Sequence, residues 1–247
     1  MREPAALFPI ALALGAAILV PGRGAQAAPI PIQACQTISQ PGSYVLANDL
    51  TSTSISDCLV ITADFVTIDL AGFTMRGGSG AAIAAPQGGN GIAVRNGSIN
   101  HFARGVDLSS AHGSIVEGLR VFGGTSNGGF GISATGIVKG NTTVGIFGDG
   151  ITATGTVTDN DAEGNRDAGI RATGTVRGNV ATDNSEGINA GVGSTVIGNT
   201  ATNNRTEGGV GISVDCPSNL TDNTAVNNRR NLLLNGDGCH NEDNVAP

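Results

Sequence analysis

The sequence predicts an all-β chain whose main part, residues 65–247, winds as a right-handed parallel β-helix of about eight coils. Three observations predict it. Aliphatic residues recur about every twenty residues, Asn residues recur in register with them, and the intervening segments are short runs of Thr and Val between Gly and Asn. Such a period indicates a solenoid, in which each coil buries its inward side chains only against its neighbours.

The clearest aliphatic file is Gly followed by Ile, at steps of 19, 19, 18 and 24 residues: Gly131-Ile132, Gly150-Ile151, Gly169-Ile170, Gly187-Ile188 and Gly211-Ile212. Between these pairs the apolar spacing fits no helical period of 3.6 residues. We therefore expect three short strands per coil, separated by bends. Successive coils would stack about 4.8 Å apart, the strand spacing of a sheet.

Two files of Asn follow the same period. They are Asn141, Asn160, Asn179, Asn199, Asn223 and Asn244, and then Asn165, Asn184, Asn204 and Asn228. Stacked Asn side chains can hydrogen-bond their amides along a file, and Asn tolerates the left-handed backbone conformation of a sharp bend. We expect the Gly before each Ile to serve such a bend without a Cβ penalty.

The uneven coil length disfavours a left-handed helix of strict hexapeptides, and parallel crossover connections are overwhelmingly right-handed.

Residues 28–64 lack the repeat. We predict that they form an N-terminal cap over the open end of the solenoid, which prevents edge pairing.

Residues 1–27 have the pattern of a cleaved secretory signal: Arg2, an apolar run too short to span a membrane, and Ala25-Gln26-Ala27 at the cleavage site. We expect that the protein is secreted, to the extracellular space or the periplasm, and that it has no membrane span after cleavage.

The net charge is −7, and removal of two Arg and one Glu with the signal makes it one unit more negative. An acidic chain without a basic cluster disfavours nucleic acid and anionic lipid as partners.

The cysteine count of the chain is even, and a secreted protein meets an oxidising compartment, so disulfides are expected. We predict Cys35–Cys58 and Cys216–Cys239, because long-range pairing would require the ends of the stack to meet. The spacing lacks the close ligand pairs of a zinc site.

Two segments carry a resemblance to a known family: VTIDLAGFTMRG at 66–77 and VRNGSI at 94–99. Together with the Gly-Asn-x-Ala-x-x-Asn coils, they resemble bacterial right-handed parallel β-helix repeat proteins of the pectin-lyase-like superfamily, which includes NosD-like periplasmic proteins. The resemblance covers about residues 35–245 and implies the fold. It does not specify an activity, because function resides in sites rather than folds.

Polysaccharide lyases of this superfamily use clustered Asp for Ca²⁺ and an Arg or Lys as the base. By that resemblance, the weak catalytic candidates are Asp149, Asp167 and Arg171, with Glu186 and Arg177 nearby. We favour solvated surface charge as their role. The three His residues are scattered, and the sequence has neither a Trp nor a Ser-His-Asp arrangement.

We therefore predict a monomeric, non-catalytic structural or binding module that engages an extracellular polysaccharide or a cell-surface component. It would have no cofactor and no resident metal. The alternative is a small lyase or epimerase of uronate-containing glycans, and only this alternative would involve Ca²⁺.

Overall fold

The computed structural model describes residues 28–124, 129–206 and 208–247, so the predicted signal peptide at 1–27 lies outside the described residues. In these ranges the chain is all-β, and they contain no helix that could cross a membrane. The strands are β1 (Ile30–Ile32), β2 (Gln36–Ile38), β3 (Gly42–Leu46), β4 (Leu50–Thr51), β5 (Leu59–Ile61), β6 (Val66–Asp69), β7 (Thr74–Arg76), β8 (Ala81–Ala84), β9 (Gly89–Asn90), β10 (Ala93–Asn100), β11 (Arg104–Leu108), β12 (Ala111–His112), β13 (Ser114–Phe122), β14 (Phe130–Lys139), β15 (Thr142–Val144), β16 (Asp149–Thr158), β17 (Asp161–Glu163), β18 (Ala168–Arg177), β19 (Val180–Thr182), β20 (Glu186–Ala190), β21 (Thr195–Ile197), β22 (Thr200–Thr202), β23 (Val210–Asp215), β24 (Asn219–Thr221), β25 (Thr224–Val226), β26 (Arg230–Asn235) and β27 (His240–Glu242).

These strands stack in three parallel faces. Face 1 runs from β1, β3 and β6 through the second halves of β14, β16 and β18 to β27. Face 2 runs from β4 and β7 through β15, β17 and β19 to β25. Face 3 runs from β2, β5 and β8 through the first halves of β14, β16 and β18 to β26. Each turn passes from face 3 to face 1 to face 2.

The chain completes about nine such turns, which confirms the predicted parallel solenoid with one turn more than expected. The right-handed sense stays a prediction from the crossover rule. The aliphatic file is confirmed as well. Ile151 pairs in register with Ile170, which pairs with Ile188, and all three are fully buried. Like side chains therefore stack on like inside the solenoid, and each turn is buried by the turns above and below it.

Both Asn files form continuous hydrogen-bonded ladders. In the first, each side-chain Nδ2 donates to Oδ1 of the Asn one turn later, at 2.8–3.0 Å. The same Oδ1 accepts the backbone N–H of the earlier Asn, as when Asn160 donates to Asn179 at 3.0 Å. The second ladder repeats this pattern at 2.8–3.3 Å between Nδ2 and Oδ1. The buried amides at two bends are thereby satisfied, as buried polar groups require.

Each ladder ends within the last turns of the chain. The first ladder ends at Asn244, whose Nδ2 donates to Asn241 Oδ1 at 2.8 Å and to the Glu242 carbonyl at 2.8 Å. In the second, the backbone N–H and Nδ2 of Asn228 both donate to Asn231 Oδ1, at 3.0 and 3.2 Å. The last donors thus find acceptors only two or three residues away.

The expected left-handed residues are one position away from where they were predicted. The ladder Asn residues have ordinary negative φ angles, and the residue before each Asn of the first ladder has a φ of 53–63°. These preceding residues are Gly140, Asp159, Gly178, Gly198, Asp222 and Asp243. The prediction was wrong about the position but correct about the bend, since the ladder Asn must keep its side chain directed along the file while its neighbour turns the chain.

The Gly before each inward Ile also has a different role from the predicted one. Gly169 and Gly187 do not have a left-handed backbone. A Cβ on Gly169 would instead lie 2.6 Å from Nδ2 of Asn184, and one on Gly187 would lie 2.7 Å from Nδ2 of Asn204. Glycine is required here because the second Asn ladder packs directly against this backbone.

Residues 28–64 differ from the expectation that they stand outside the repeat. β1 pairs with β3 and β3 with β6, and Ile38 pairs in register with Ile61 on face 3. Both Ile side chains are buried in the common core. The segment therefore winds as the first turns of the solenoid, and strand pairing continues across the predicted boundary at residue 64. A capping role for it stays a prediction.

Both predicted disulfides are confirmed. Cys35 is bonded to Cys58 and Cys216 to Cys239, each pair being 23 residues apart. Each bridge therefore joins successive turns, one at each end of the stack, where a turn has only one neighbour to bury it.

Candidate functional site

The predicted candidates lie on the outer surface of face 3. There the residue after each inward Ile points outward, and Thr152, Arg171 and Asn189 occupy this position in three successive turns. Register partners of neighbouring strands stand about 4.8 Å apart. The parallel pairing thus places a hydroxyl, a guanidinium and an amide side by side on a rigid support.

Asp149 and Arg171 form an ion pair on this surface. Arg171 Nε donates to Asp149 Oδ2 at 2.9 Å and Arg171 Nη2 donates to Asp149 Oδ1 at 3.3 Å. The same carboxylate accepts the backbone N–H of Ala168 at 2.9 Å and the Thr152 hydroxyl at 3.1 Å. Both carboxylate oxygens are therefore engaged, and Arg171 is held in one orientation from below.

Glu186 approaches the same guanidinium from the turn above. Its Oε2 lies 4.0 Å from Arg171 Nη2 and accepts a hydrogen bond from Asn189 Nδ2 at 3.3 Å. No hydrogen bond within the described residues engages Nη1 of Arg171, so that nitrogen retains donors for a ligand.

The pKa of Arg171 lies above its ordinary value. The hydrogen bond to Asp149 is the largest cause, burial opposes it, and the charges of Asp149, Glu186 and Asp167 raise the pKa further. A general base must lose its proton near the working pH. Arg171 is therefore a fixed cation and hydrogen-bond donor, and it does not have the chemistry of a proton acceptor.

Above this network lies an open cleft of about 370 Å³. It is lined by Asp167, Ala168, Arg171, Ser185, Glu186, Asn189 and Gly208. The structure thus brings Asp167 and Arg171 to one cleft and places Asp149 behind Arg171 as its support. Arg177 lies on face 1, where it pairs in register with Thr158 and Ile197.

Three residues of the cleft, Ser185, Asn189 and Gly208, were not predicted from the sequence. A signal for Asn189 was present, because it directly follows the inward Ile188 as Arg171 follows Ile170. Ser185 directly follows the ladder residue Asn184, at the bend before face 3. Both could have been found from their position within the repeat.

The carboxylates near Arg171 do not fit a Ca²⁺ ion. Calcium takes six to eight oxygen ligands, whereas both oxygens of Asp149 already accept hydrogen bonds and a guanidinium stands between Asp149 and Glu186. The described residues contain no group of three or more acidic, His or Cys side chains that could hold a metal ion.

Comparison with known proteins gives no family for this chain. No protein-family model matches it, and no curated protein matches it.

The solved structures similar to it include two from Azotobacter vinelandii. The A-module of mannuronan C-5 epimerase AlgE4 has a TM-score of 0.47 at 13% identity, covering 80% of this chain and 70% of that one. The A-module of mannuronan C-5 epimerase AlgE6 has a TM-score of 0.45 at 14% identity, covering 85% and 88%. The solenoid assignment rests on the strand pairing of the chain itself.

Proposed function

We propose that this chain is a secreted, non-catalytic β-solenoid that binds carbohydrate through the cleft on face 3. The observation that carries the proposal is the set of polar groups converging on that cleft: the carboxylates of Asp167 and Glu186, the Asn189 amide and the Arg171 guanidinium. Sugar hydroxyls both donate and accept hydrogen bonds, so they suit a surface that presents acceptors beside donors. Arg171, Glu186 and Asn189 lie on strands, and strands hold such groups more accurately than loops do.

Two features support a location outside the cytoplasm. The predicted signal at residues 1–27 would direct export, and the two disulfides suggest an oxidising compartment. The partner would be an extracellular polysaccharide or a cell-surface component. The relationship to NosD-like repeat proteins, inferred from the sequence, belongs to this proposal.

The alternative function is a lyase or epimerase of uronate-containing glycans with Asp149, Asp167 and Arg171 as catalytic residues. Such chemistry needs a base that removes the proton α to a carboxylate. Arg171 has a raised pKa, and Asp149 is saturated by its hydrogen bonds. Both observations favour the binding role over the catalytic one.

A glycan screen of the purified mature protein, with and without Ca²⁺, tests the proposal. We expect binding of chemically unaltered glycans. Asn189→Ala and Glu186→Gln should each weaken it about fivefold, the order of one lost hydrogen bond. Asn219→Ala, the same truncation at an exposed position of face 1, should leave binding unchanged.

Two results would refute the proposal. One is the formation of unsaturated uronate ends or of uronates with inverted C-5 configuration, which would establish the catalytic alternative. The other is the absence of binding to every glycan of the screen.

A further inference from the structure

A second cleft adjoins the first at the bend between faces 2 and 3. It has a volume of about 360 Å³ and is lined by Gly208, Gly209, Val210, Arg229, Arg230 and Leu233. Gly208 lines both clefts. A Cβ placed on Gly208 would meet no atom within 4 Å outside its two chain neighbours, so there is open space at the residue that both clefts share.

The position of the two arginines is fixed by the last turns of the solenoid. Arg230 pairs in register with Val210, and its backbone N–H donates to the Gly209 carbonyl at 3.0 Å. The backbone N–H of Arg229 donates to the Asn204 carbonyl at 3.2 Å. Both side chains are exposed. Their guanidinium groups therefore extend into solvent from an ordered backbone.

The two clefts differ in charge. The first contains Asp167 and Glu186 beside Arg171, whose charge is already balanced by Asp149. In the second, neither Arg229 nor Arg230 forms an ion pair with any carboxylate of the described ranges. Each guanidinium presents donors in a fork that matches the oxygens of a carboxylate, sulfate or phosphate.

From this juxtaposition we propose that the two clefts form one extended site for a linear glycan that carries an anionic substituent, with Arg229 and Arg230 binding the anionic group. The inference rests on the proposed function and adds the substrate class. Uncharged, hydroxyl-rich units would lie over Asp167 and Glu186, where an anion would be repelled. The next unit along the chain would cross Gly208 and place its anion between the two arginines.

The test measures binding by isothermal titration calorimetry with matched hexasaccharides of glucose, mannose, galactose and xylose. Each is used in neutral, carboxylated and sulfated form, so that the comparison shows whether a carboxylate or a sulfate is bound. We expect at least one anionic form to bind about tenfold more tightly than its neutral counterpart, the order of two exposed ion pairs. High salt should abolish this preference.

The Arg229→Gln/Arg230→Gln double variant should lose the preference while keeping the affinity for the neutral form. Arg177→Gln, which removes an exposed arginine of face 1, should behave as the wild type. The inference is overturned if the double variant still prefers the anionic hexasaccharide, or if the wild type shows no such preference. Neither result would contradict the proposed function.

An independent measurement keeps the two proposals separable. Titration with inorganic sulfate, followed by NMR of the arginine Nε–H signals, should shift the signals of Arg229 and Arg230 together and leave Arg177 in place. If no glycan binds but this shift occurs, the proposed function fails, whereas anion binding by Arg229 and Arg230 stands. If the two signals do not shift, anion binding by these arginines is refuted.

Discussion

Truncation of one ladder amide, Asn179→Ala, has a cost that follows from four hydrogen bonds. Asn179 is fully buried, and its Oδ1 accepts from both the backbone N–H and Nδ2 of Asn160, each at 3.0 Å. Its Nδ2 donates to Asn199 Oδ1 at 3.0 Å and to the Val157 carbonyl at 2.9 Å. The truncation leaves two donors of Asn160 and the carbonyl of Val157 without partners.

Each buried polar group without a partner costs about 1–3 kcal/mol. The three groups share one small space and are not additive, so we expect a loss of about 3–5 kcal/mol, a large fraction of the stability of an ordinary domain. The free energy of unfolding is measured on the oxidised protein by urea titration with far-UV circular dichroism, extrapolated linearly to water.

The matched control is Asn219→Ala, which removes the same atoms from an exposed position and should change the free energy of unfolding by less than about 0.5 kcal/mol. A second variant, Asn179→Asp, keeps the shape but loses the amide donor, and it should also be strongly destabilised at neutral pH. If Asn179→Ala costs no more than Asn219→Ala, the ladder does not stabilise the fold and the reasoning is refuted.

Three further predictions concern other parts of the stack. Gly169→Ala should lower stability by about 2 kcal/mol, since the new Cβ would lie 2.6 Å from Nδ2 of Asn184; an unchanged thermal midpoint would contradict this. Replacing Cys216 and Cys239 with Ser should cost about 3 kcal/mol for a bridge of this loop length, measured by urea titration, and a loss below about 1 kcal/mol would count against a stapling role. Burial acts to raise the pKa of Asp69, but hydrogen bonds from a backbone N–H, an amide and a guanidinium outweigh it and hold the pKa below its ordinary 3.8. The stabilising contribution of this carboxylate is therefore present above pH 3.8 and lost as the pH falls through its folded pKa, so the stability difference between wild type and Asp69→Asn should shrink below about pH 4; a difference independent of pH would contradict it.

The stack was predictable because one turn repeats another. Ile170 and Asn179 each recur at the same step through several turns, so the sequence alone indicated which side chains lie above one another. Residues 28–64 lack that signature. Their inward Ile38 and Ile61 follow a longer turn without the Gly-Ile pair, and only the strand pairing reveals that they belong to the same solenoid.

The details within a turn were less predictable, because they depend on contacts between neighbouring turns. The left-handed residue lies beside the ladder Asn, and Gly169 is required by the amide of Asn184 one turn away. The candidate site was predicted only in part. The closeness of Asp149, Asp167 and Arg171 follows from the repeat, whereas the open space above Gly208 depends on an irregular turn.

The way in which the Asn ladders end bears on whether one solenoid associates end to end with another. A ladder whose last Nδ2 lacked an acceptor would gain a hydrogen bond from any further strand bringing an Asn in register, and it would favour end-to-end growth of chains. Here Nδ2 of Asn244 and Nδ2 of Asn228 each donate to an acceptor only two or three residues away. The side-chain donors at the last described rung of each column are thereby satisfied within one molecule, so they do not favour pairing with a strand of another molecule.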